Sequence, residues 1–337
     1  MKALVMHGPR DLRIEEVPEP KIQPGEALLR VRRVGLCGSD LNSYRGRNPL
    51  VSYPRIPGHE IAATIVELSE PHPTFRVGLD VTLSPYTNCG ECSACRNARP
   101  NACERNQTLG VQRDGALAEY ISVPVDRLYC AELDLMELCL VEPLTVGAHA
   151  VARAGVKKRD TVAIIGCGGV GLGAVAASSF CGAVTIAIDV DDDKLAIAQQ
   201  AGAAHTIHSQ RECLKTALNA IAGANGPDVI IEAVGTPETF RAAVDLVAFT
   251  GRVVYIGYAK EPVTYETKHF VQKELDIRGT RNALPEDFRQ VIEMLEQDRF
   301  PVDSVIDNVI PLEDAPNILD AWSEQPSRFK KIIITLD

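Results

Sequence analysis

Four cysteines in one short segment could bind a metal ion. They are Cys89, Cys92, Cys95 and Cys103, separated by two, two and seven residues. This spacing, on a loop that contains glycine and proline, allows one loop to place four thiolates around a zinc ion. Protein would then fill every coordination position, so the ion would stabilise a lobe and would not catalyse a reaction. The alternatives are metal-free thiols and an iron–sulfur cluster, and the long last gap and the absence of proline after the fourth cysteine argue against the cluster.

A second group of possible metal ligands is dispersed along the chain. Cys37 lies in GLCGSD, His59 lies in PGHE next to Glu60, and Glu142 lies in VEP. One thiolate, one imidazole and one or two carboxylates can hold zinc and leave a position for water or substrate, which is typical of a catalytic zinc site. Composition alone leaves open that His59 and Glu60 form an ordinary polar pair.

A glycine-rich turn indicates a dinucleotide-binding site. The segment GCGGVG fits G-x-G-x-x-G, and its candidate cofactor-binding residues are Gly166, Gly168, Gly169, Val170 and Gly171. It follows an apolar run and precedes a helix of small residues, whose N-terminus would favour a pyrophosphate. The next strand ends at Asp189, which should accept hydrogen bonds from the adenosine ribose and repel a 2′-phosphate, so the sequence predicts NAD. The alternative is a turn that only packs a helix on a strand.

The pattern of apolar residues changes near residue 145. Before it, short apolar runs separated by glycine and proline predict strands of a β-rich domain at Ala27–Val34, Ile61–Leu68, Asp80–Leu83 and Leu117–Val123. After it, near-continuous apolar runs lie at Thr161–Ile165, Val184–Ile188, Asp228–Glu232 and Arg252–Ile256. Helical patterns alternate with these runs, which predicts a parallel sheet covered on both faces. A helix over 285–297 and an apolar run over 331–336 end the chain.

Charge and composition exclude several classes of partner. The net charge is −10 and the pI is near 5.3, without the basic patch that nucleic acid or an anionic membrane surface requires. The first thirteen residues do not resemble a signal peptide, which predicts a cytoplasmic protein whose cysteines are reduced. Residues 162–188 carry no charge and could span a bilayer by length, but six glycines and the lack of aromatic anchors favour a buried strand, turn, helix and strand.

Taken together, these motifs resemble the zinc-containing medium-chain alcohol dehydrogenases over nearly the whole chain. GLCGSD, GHE, the four-cysteine segment, DGALAEY at 114–120, VEP and GCGGVG occur in the order of that family. The resemblance implies an α/β fold in which a GroES-like β-rich catalytic domain is split around a Rossmann domain with a doubly wound parallel sheet. The expected domains are 1–144, with a structural zinc lobe at about 86–106, then 145–281 for NAD, and 282–337 as the rest of the catalytic domain.

The resemblance also implies roles for single residues of the zinc site. Cys37 and His59 match the catalytic zinc ligands. Glu60 and Glu142 match carboxylates that ligate the metal directly, exchange with each other or hold its bound water, depending on the branch of the family. Asp40 matches an acid that orients the ligating histidine. Two zinc ions per chain, one catalytic and one structural, are therefore expected.

A serine matches the start of a proton path. Ser39 corresponds to the hydroxyl that contacts the substrate oxygen, but many members carry histidine three residues later, where this chain has Asn42. Since an amide does not shuttle protons, the resemblance leaves open whether the path ends at the cofactor ribose, at water, or at one of the two glutamates. Arg281 lies near a sequence position at which residues of relatives contact the cofactor, so the resemblance implies that Arg281 could do the same.

The segment that follows Cys37 is polar and includes Arg45 and Arg47, and it resembles those of polyol and sugar-acid dehydrogenases, as does GTRN at 279–282. Arginines could bind a carboxylate and amides could bind hydroxyls, although a solvated surface loop is the alternative. The predicted reaction is therefore NAD-dependent oxidation of a secondary alcohol of a polyol or hexonate. A threonine-type amino-alcohol dehydrogenase is the first alternative, and a non-catalytic NAD-binding sensor is a distant one.

The resemblance further implies a homodimer or homotetramer formed by pairing the edges of Rossmann domains. The residues do not choose between the two. The remaining cysteines match no functional position of the family and are interpreted as small buried residues; they are Cys130, Cys139, Cys167, Cys181 and Cys213.

Overall fold

The computed structural model describes residues 1–336, and the chain folds as two compact units. The first unit is Met1–Glu142 together with the C-terminal segment that begins at Val302, and the second is Pro143–Pro301. A GroES-like unit interrupted by a Rossmann-type unit agrees with the fold class predicted from the sequence.

The strands are β1 (Lys2–Gly8), β2 (Asp11–Glu16), β3 (Glu26–Gly35), β4 (Glu60–Leu68), β5 (Asp80–Leu83), β6 (Tyr120–Pro124), β7 (Leu128–Tyr129), β8 (Thr161–Ile165), β9 (Val184–Asp189), β10 (His205–His208), β11 (Val229–Glu232), β12 (Arg252–Tyr255), β13 (Asp276–Gly279), β14 (Asn308–Pro311) and β15 (Ile332–Thr335). The helices are α1 (Gly38–Tyr44), α2 (Ser93–Arg96), α3 (Leu135–Ala154), α4 (Gly169–Phe180), α5 (Asp192–Gln200), α6 (Leu214–Ala222), α7 (Pro237–Leu246), α8 (Lys268–Gln272), α9 (Pro285–Glu296), α10 (Val302–Val305) and α11 (Ala315–Glu324).

The first unit is built around strand β3. In the order β14-β15-β3-β4-β5-β7, β3 lies between β15 and β4, and β6 pairs with its other end. Along β3 every second residue from Ala27 through Leu29 to Val31 is fully buried, as expected for a strand with one face on a core. β3 and β4 therefore form a rigid base for the candidate catalytic residues. Cys37 follows the end of β3, and His59 and Glu60 lie at the start of β4.

The second unit contains six parallel strands in the order β10-β9-β8-β11-β12-β13. Residues of the central strands β8 and β11 are buried on both faces, which explains their continuous apolar sequences. The strand order reverses between β8 and β11, and the crevice at the carboxyl ends of such strands is where doubly wound sheets bind ligands.

The structure differs from the sequence prediction in the position of α9. Residues 282–301, which the sequence prediction assigned to the catalytic domain, lie in the second unit. Asp287 of α9 lies 2.8 Å from the ring of His149 in α3, and Gln290 donates a hydrogen bond to the thiol of Cys181. An apolar face on a helix predicts that the helix packs on a hydrophobic core, but it does not show on which of two cores. The sequence alone therefore could not assign α9 to one of the two units.

Among the described residues, one helix is long and apolar enough to cross a membrane by length and composition, namely α3. Of its most apolar window, 72% is buried inside the protein, which is also the property of a core helix. The uncharged segment 162–188 folds as most of β8, then α4 and most of β9, as the sequence predicted.

Candidate active site and metal centres

The dinucleotide turn joins β8 to α4. Gly166 follows β8 directly with φ +97°, a backbone conformation that glycine adopts without strain. A Cβ on Gly171 would lie 1.8 Å from the carbonyl oxygen of Gly166, so the helix can approach the turn this closely only with glycine at 171. These two glycines therefore fix the shape of the turn.

The other two glycines of the turn leave its outer side open. Gly168 and Gly169 are exposed, and a Cβ on either would meet no protein atom within 4 Å. Gly168 is the N-cap of α4, and no side chain caps the free N–H groups there. An uncapped helix N-terminus with bare backbone beside it is suited to a phosphate group, so the turn fits the pyrophosphate of a dinucleotide.

Asp189, at the end of β9, lies next to this turn. Its carboxylate accepts hydrogen bonds from the backbone N–H of Cys167 at 2.7 Å, of Val190 at 2.7 Å and of Asp191 at 3.2 Å. A carboxylate has about four acceptor positions, so this one can still accept from a ribose hydroxyl. The bond to Cys167 ties the end of β9 to the glycine turn and holds the acid in position.

The four cysteines of the first unit converge. Their sulfur atoms all lie within 4.8 Å of one another, and neighbouring sulfurs are 3.5 Å (Cys92–Cys95), 3.6 Å (Cys89–Cys103), 3.8 Å (Cys92–Cys103) and 4.0 Å (Cys89–Cys95) apart. A tetrahedral zinc with Zn–S bonds of about 2.3 Å requires sulfurs about 3.8 Å apart. An iron–sulfur cluster would hold the sulfurs farther apart, because several atoms would lie between them. The cluster fits a structural zinc ion.

The backbone around this cluster favours thiolates. The N–H of Cys92 donates to Sγ of Cys89 at 3.4 Å, and the N–H groups of Cys89 and Arg105 donate to Sγ of Cys103 at 3.3 Å. Hydrogen bonds from the backbone at Cys95 and at Glu104 lower the pKa of Cys92 to about 6. Burial raises the pKa of Cys95 to about 11, so a cation is needed to bring all four groups to the thiolate form.

Cys37, His59 and Glu60 form the second cluster. A ligand atom of each lies within 4.8 Å of the others, although 22 positions separate the first residue from the second. Cys37 follows β3 and is the N-cap of α1, whereas His59 and Glu60 stand at the start of β4. Because β3 and β4 are antiparallel neighbours, with Gly35 opposite Glu60, the end of one strand meets the start of the other. The pairing of these strands builds the cluster.

Asp40 and Ser39 border this cluster. Asp40 is buried and accepts from the N–H of Cys37 at 2.9 Å and of Gly58 at 3.3 Å, and it lies 3.9 Å from Nδ1 of His59. Burial raises the pKa of Asp40, and the charge of His59 partly offsets this. Nδ1 of His59 is buried and has no hydrogen-bond partner among residues 1–336, and Oγ of Ser39 lies 3.5 Å from Nε2. A buried imidazole beside a thiol and a carboxylate fits a zinc ion, and Asp40 near Nδ1 is placed to orient the ring.

Lys331 is a buried cation at this cluster that the sequence did not single out. Its Nζ donates to Oε2 of Glu60 and, at 3.2 Å, to the carbonyl oxygen of Leu36. A Cβ on Gly35 would lie 2.1 Å from Oε2 of Glu60 and 3.0 Å from Cε of Lys331. Glycine at 35 therefore makes room for the ion pair. The lysine occurs just before a buried strand, and on sequence it cannot be distinguished from a surface lysine at a strand end.

Glu142 lies outside the group of three but close to it. Its Oε1 accepts a hydrogen bond from the hydroxyl of Tyr86, and both side chains are buried. Burial raises the pKa of Glu142 to about 7, and the charge of His59 acts in the opposite direction. Tyr86 is the second site residue that the sequence did not indicate, because it lies 56 positions from Glu142 and belongs to no spacing pattern.

The polar residues after Cys37 have different environments. The guanidinium of Arg45 donates to Oγ of Ser323 at 3.1 Å and to the carbonyl oxygen of Ser323, at the end of α11. Arg45 therefore has a structural partner, whereas Arg47 and Asn42 are exposed. In the second unit Arg281 is also exposed and follows β13.

The remaining cysteines do not all fit the interpretation as small buried residues. Cys139 and Cys167 are fully buried, and burial raises the pKa of each thiol to about 12. Cys130 and Cys181 are half-buried, and Cys213 is exposed. None of these five belongs to either metal cluster within the described residues.

Two family models match the chain. The model described as alcohol dehydrogenase GroES-like domain covers residues 23–133, and the model described as zinc-binding dehydrogenase covers residues 169–297. The first match contains the four-cysteine segment and the cluster of Cys37, His59 and Glu60.

Known proteins are similar over most of the chain. L-galactonate-5-dehydrogenase of Escherichia coli K12 is 32% identical over 314 residues, which cover 92% of either chain. Sorbitol dehydrogenase of Bacillus subtilis 168 is 36% identical over 287 residues, covering 83% of this chain and 81% of the relative. A solved structure of a short chain alcohol dehydrogenase from Escherichia coli CFT073 in complex with NADH superposes with a TM-score of 0.91 at 28% identity, covering 100% of this chain and 99% of the other.

Proposed function

The chain belongs to the zinc-containing medium-chain alcohol dehydrogenase family, and we propose that it interconverts a secondary alcohol of a polyol or sugar acid with the corresponding ketone, using NAD. The observation that carries this proposal is the meeting of Cys37, His59 and Glu60 at one point of the first unit. A thiolate, an imidazole and a carboxylate leave one position of a tetrahedral zinc ion for a substrate oxygen.

Zinc held by these residues would supply Lewis acidity toward the alcohol or ketone oxygen. The protein groups around it have separate tasks. Asp40 fixes the start of α1 through the N–H of Cys37 and, with an oxygen 3.9 Å from Nδ1, sets the charge environment of His59. Ser39, with its hydroxyl 3.5 Å from Nε2 of His59, is placed to accept the proton that the alcohol loses.

The proton leaves Ser39 by a route that excludes the side chain at 42. Asn42 is exposed, and its amide does not take up protons at neutral pH. We propose water as the final acceptor, because Ser39 is only half-buried and lies within one helical turn of that exposed position. The glycine turn of the second unit would hold NAD, which supplies the hydride acceptor when bound, so that alcohol and NAD⁺ give ketone, NADH and a proton.

Asp189 supports NAD over NADP. A carboxylate fixed at the end of β9 by the N–H groups of Cys167 and Val190 would lie against the 2′ position of the adenosine ribose and repel a phosphate there. The relative with TM-score 0.91 was solved with NADH. Gly166, Gly168, Gly169, Val170 and Gly171 would hold the pyrophosphate, and exposed Arg281 is a further candidate for a cofactor contact.

The substrate class rests on exposed polar residues that follow Cys37 in the sequence and on the names of the relatives. Asn42 and Arg47 are solvated and free to meet hydroxyl or carboxylate groups. Two relatives are named for a sugar acid and for a polyol.

The experiment is NADH formation at 340 nm with zinc-loaded protein. The panel consists of hexitols, pentitols, hexonates, threonine and simple alcohols, each with NAD and with NADP. Turnover of a polyol or hexonate with NAD is the expected result. Turnover of threonine alone would replace the substrate class with an amino alcohol, and absence of turnover with two zinc ions bound would point to a non-catalytic sensor or to an unlisted alcohol class. Cys37→Ser should abolish turnover, and Cys213→Ser, at an exposed cysteine outside both clusters, should not.

We also propose a homodimer or homotetramer that is located in the cytoplasm. Strand β13 is the edge of the parallel sheet, with Ile277 40% exposed, and Val271 in the preceding helix is 82% exposed. An unpaired strand edge flanked by exposed apolar side chains favours pairing with a second copy. Light scattering after size-exclusion chromatography should give twice or four times 36.5 kDa, and a Pro substitution at Ile277 should shift the mass to that of a smaller species.

A further inference from the structure

Glu232 is a buried acid of the second unit that lies outside both metal clusters. It ends β11, the strand next to β8, and its relative exposure is 0%. Its Oε1 accepts three hydrogen bonds, from the backbone N–H of Val234 at 2.9 Å, from that of Gly235 at 2.7 Å and from the hydroxyl of Thr239 at 2.8 Å. The carboxylate therefore closes the turn from β11 into α7.

The same residue holds the loop after the neighbouring strand. Its carbonyl oxygen accepts from the N–H of Ile256 at 2.9 Å and of Gly257 at 3.2 Å, just beyond β12. Its Oε2 is buried without a hydrogen-bond partner within residues 1–336, and a Cβ on Gly257 would lie 2.6 Å from that oxygen. A Cβ at 257 would also lie 2.5 Å from the backbone nitrogen of Gly235, so glycine at 257 lets this loop pack against both the carboxylate and the turn that it closes. The side chain of Glu232 thus fixes the segment after β11, and its backbone carbonyl holds the segment after β12.

The turn that Glu232 closes lies against the dinucleotide turn. The N–H of Ala233 donates to the carbonyl oxygen of Ile165 at 2.8 Å, where β8 ends. A Cβ on Gly166 would lie 2.6 Å from Cγ2 of Val234, and Val234 remains 49% exposed. Val234 therefore forms an apolar wall beside the first glycine of GCGGVG, and the carboxylate of Glu232 holds the backbone N–H of that same valine.

We propose that Glu232 is a positioning residue for the half of the dinucleotide that carries the nicotinamide. This inference rests on the proposed NAD-dependent function. The strand order indicates where each half of the dinucleotide would bind. Asp189 ends β9 on one side of β8, so we place the adenosine half on that side. Strand β11 lies on the other side of β8, which leaves that side for the nicotinamide half. A dinucleotide that crosses this crevice brings its second nucleoside to the ends of β11 and β12, against Val234 and the loop at Gly257.

A role in the stability of the second unit alone does not account for Glu232. An acid with an unpaired oxygen is an expensive core residue, since burying a carboxylate without full hydrogen bonding is unfavourable. The bonds that Glu232 does make are confined to segments at the carboxyl edge of the sheet, where the ligand binds. Removal should therefore change the shape of this edge and leave the adenosine half of the site intact.

The test compares two ligands by calorimetry with the full-length protein. NADH occupies both halves of the site, and AMP occupies only the adenosine half. Glu232→Ala is expected to raise the Kd for NADH at least tenfold and the Kd for AMP less than twofold. Gly257→Ala should also raise the Kd for NADH, because its methyl group would press on both Oε2 of Glu232 and the backbone of Gly235 in the turn that this carboxylate closes. The matched control is Asp287→Ala, which removes another buried carboxylate of the second unit and should change neither Kd more than twofold.

Several results would overturn the inference. Equal weakening of NADH and AMP by Glu232→Ala would mean general damage to the unit, and unchanged NADH binding would mean no positioning role. If Glu232→Ala does not fold, Glu232→Gln decides: the neutral amide oxygen accepts more weakly, so NADH should bind at least threefold more weakly with AMP unchanged, and wild-type NADH binding would contradict the proposal. Failure of the wild-type protein to bind NADH would instead refute the proposed function.

Discussion

The ammonium of Lys331 contacts the carboxylate of Glu60 inside the first unit, and the side chains are only 9% and 2% exposed. Glu142, the other acid of the site, has the neutral hydroxyl of Tyr86 as its partner. The two carboxylates that the sequence could not tell apart are thus held by unlike groups. Glu60 is paired with a buried cation beside Cys37 and His59, whereas burial raises the pKa of Glu142.

Removal of the lysine should destabilise the first unit. In the zinc-free protein, Lys331→Met leaves the buried carboxylate of Glu60 without a counter-ion, and breaking a buried pair in this way costs about 3–5 kcal/mol. Urea unfolding followed by the fluorescence of Trp322, the single tryptophan of the chain and a residue of α11 in this unit, measures the loss. The double variant Lys331→Met with Glu60→Gln should recover most of it. Equal stability of the single variant and the wild type would show that the pair contributes little.

The amino-acid sequence predicted those parts of the site that local spacing defines. The cysteine spacing and the strand–turn–helix context of GCGGVG depend on neighbours in sequence, so Cys89 to Cys103 and Gly166 to Gly171 could be assigned directly. The meeting of Cys37 with His59 depends on the pairing of β3 with β4. The spacing of the residues does not predict that pairing, and only the resemblance to a family implied that Cys37 and His59 lie together.

Partners distant in sequence could not be predicted. Lys331 lies 271 positions from Glu60, and Tyr86 lies 56 positions from Glu142. Neither belongs to a spacing pattern, and nothing in a single sequence shows which lysine or tyrosine will be buried against an acid. The same reason explains why α9 was assigned to the other domain, and why Arg45 could be considered for the substrate although it binds the end of α11.

Stability of the zinc-free first unit should depend on pH through Glu142. Burial raises the pKa of Glu142 from 4.5 to about 7 in the folded state. Between these values the unfolded chain loses the proton and the folded chain keeps it, so this group's contribution to stability falls as pH rises from 4.5 to 7. Glu142→Gln should match the wild type at pH 4 and exceed it at pH 8 by up to about 3 kcal/mol.

Unfolding of both proteins in chelator, followed by Trp322 fluorescence, checks this expectation. Subtraction of the variant's profile removes the contributions of all other groups. A constant difference from pH 4 to pH 8 would show that the pKa of Glu142 is not raised in the folded protein.

Loss of one lobe cysteine should release one zinc ion. Cys103→Ser removes a fully buried sulfur that accepts hydrogen bonds from the backbone N–H groups of Cys89 and Arg105. The three remaining thiolates should hold zinc less tightly. Zinc per chain, measured by atomic emission, should fall from two to one, and Tm should fall because the metal stabilises the lobe. Cys213→Ser is the matched control, with both values unchanged. Retention of two zinc ions by Cys103→Ser would contradict a four-cysteine site.

Asp189 should set the preference for NAD. Asp189→Ala removes the charge and the acceptor that we propose for the adenosine ribose, so kcat/KM with NAD should fall about 10- to 100-fold, as expected for a hydrogen bond to a charged group. The kcat/KM with NADP should fall by a smaller factor or should rise, because the charge that repels the 2′-phosphate is gone. Asp191→Ala is the control, because that carboxylate caps α5 through the N–H of Asp193 and Lys194 and lies only two residues away. A loss of NAD preference in both variants would attribute it to the loop and not to the carboxylate.

Two neighbouring arginines separate substrate recognition from structure. Arg45 binds Ser323 at the end of α11, whereas Arg47 is exposed, two positions along the same segment. Arg47→Gln should lower kcat/KM for hexonates about fivefold, the effect of losing one solvated ion pair, and should leave hexitols unchanged. Arg45→Gln should lower stability by about 1 kcal/mol through its lost hydrogen bonds, with the ratio of hexonate to hexitol rates preserved. Steady-state rates with both substrates and Trp322 unfolding curves measure the two effects. A change of that ratio in Arg45→Gln, with none in Arg47→Gln, would reverse the assignment and give the substrate contact to the half-buried Arg45.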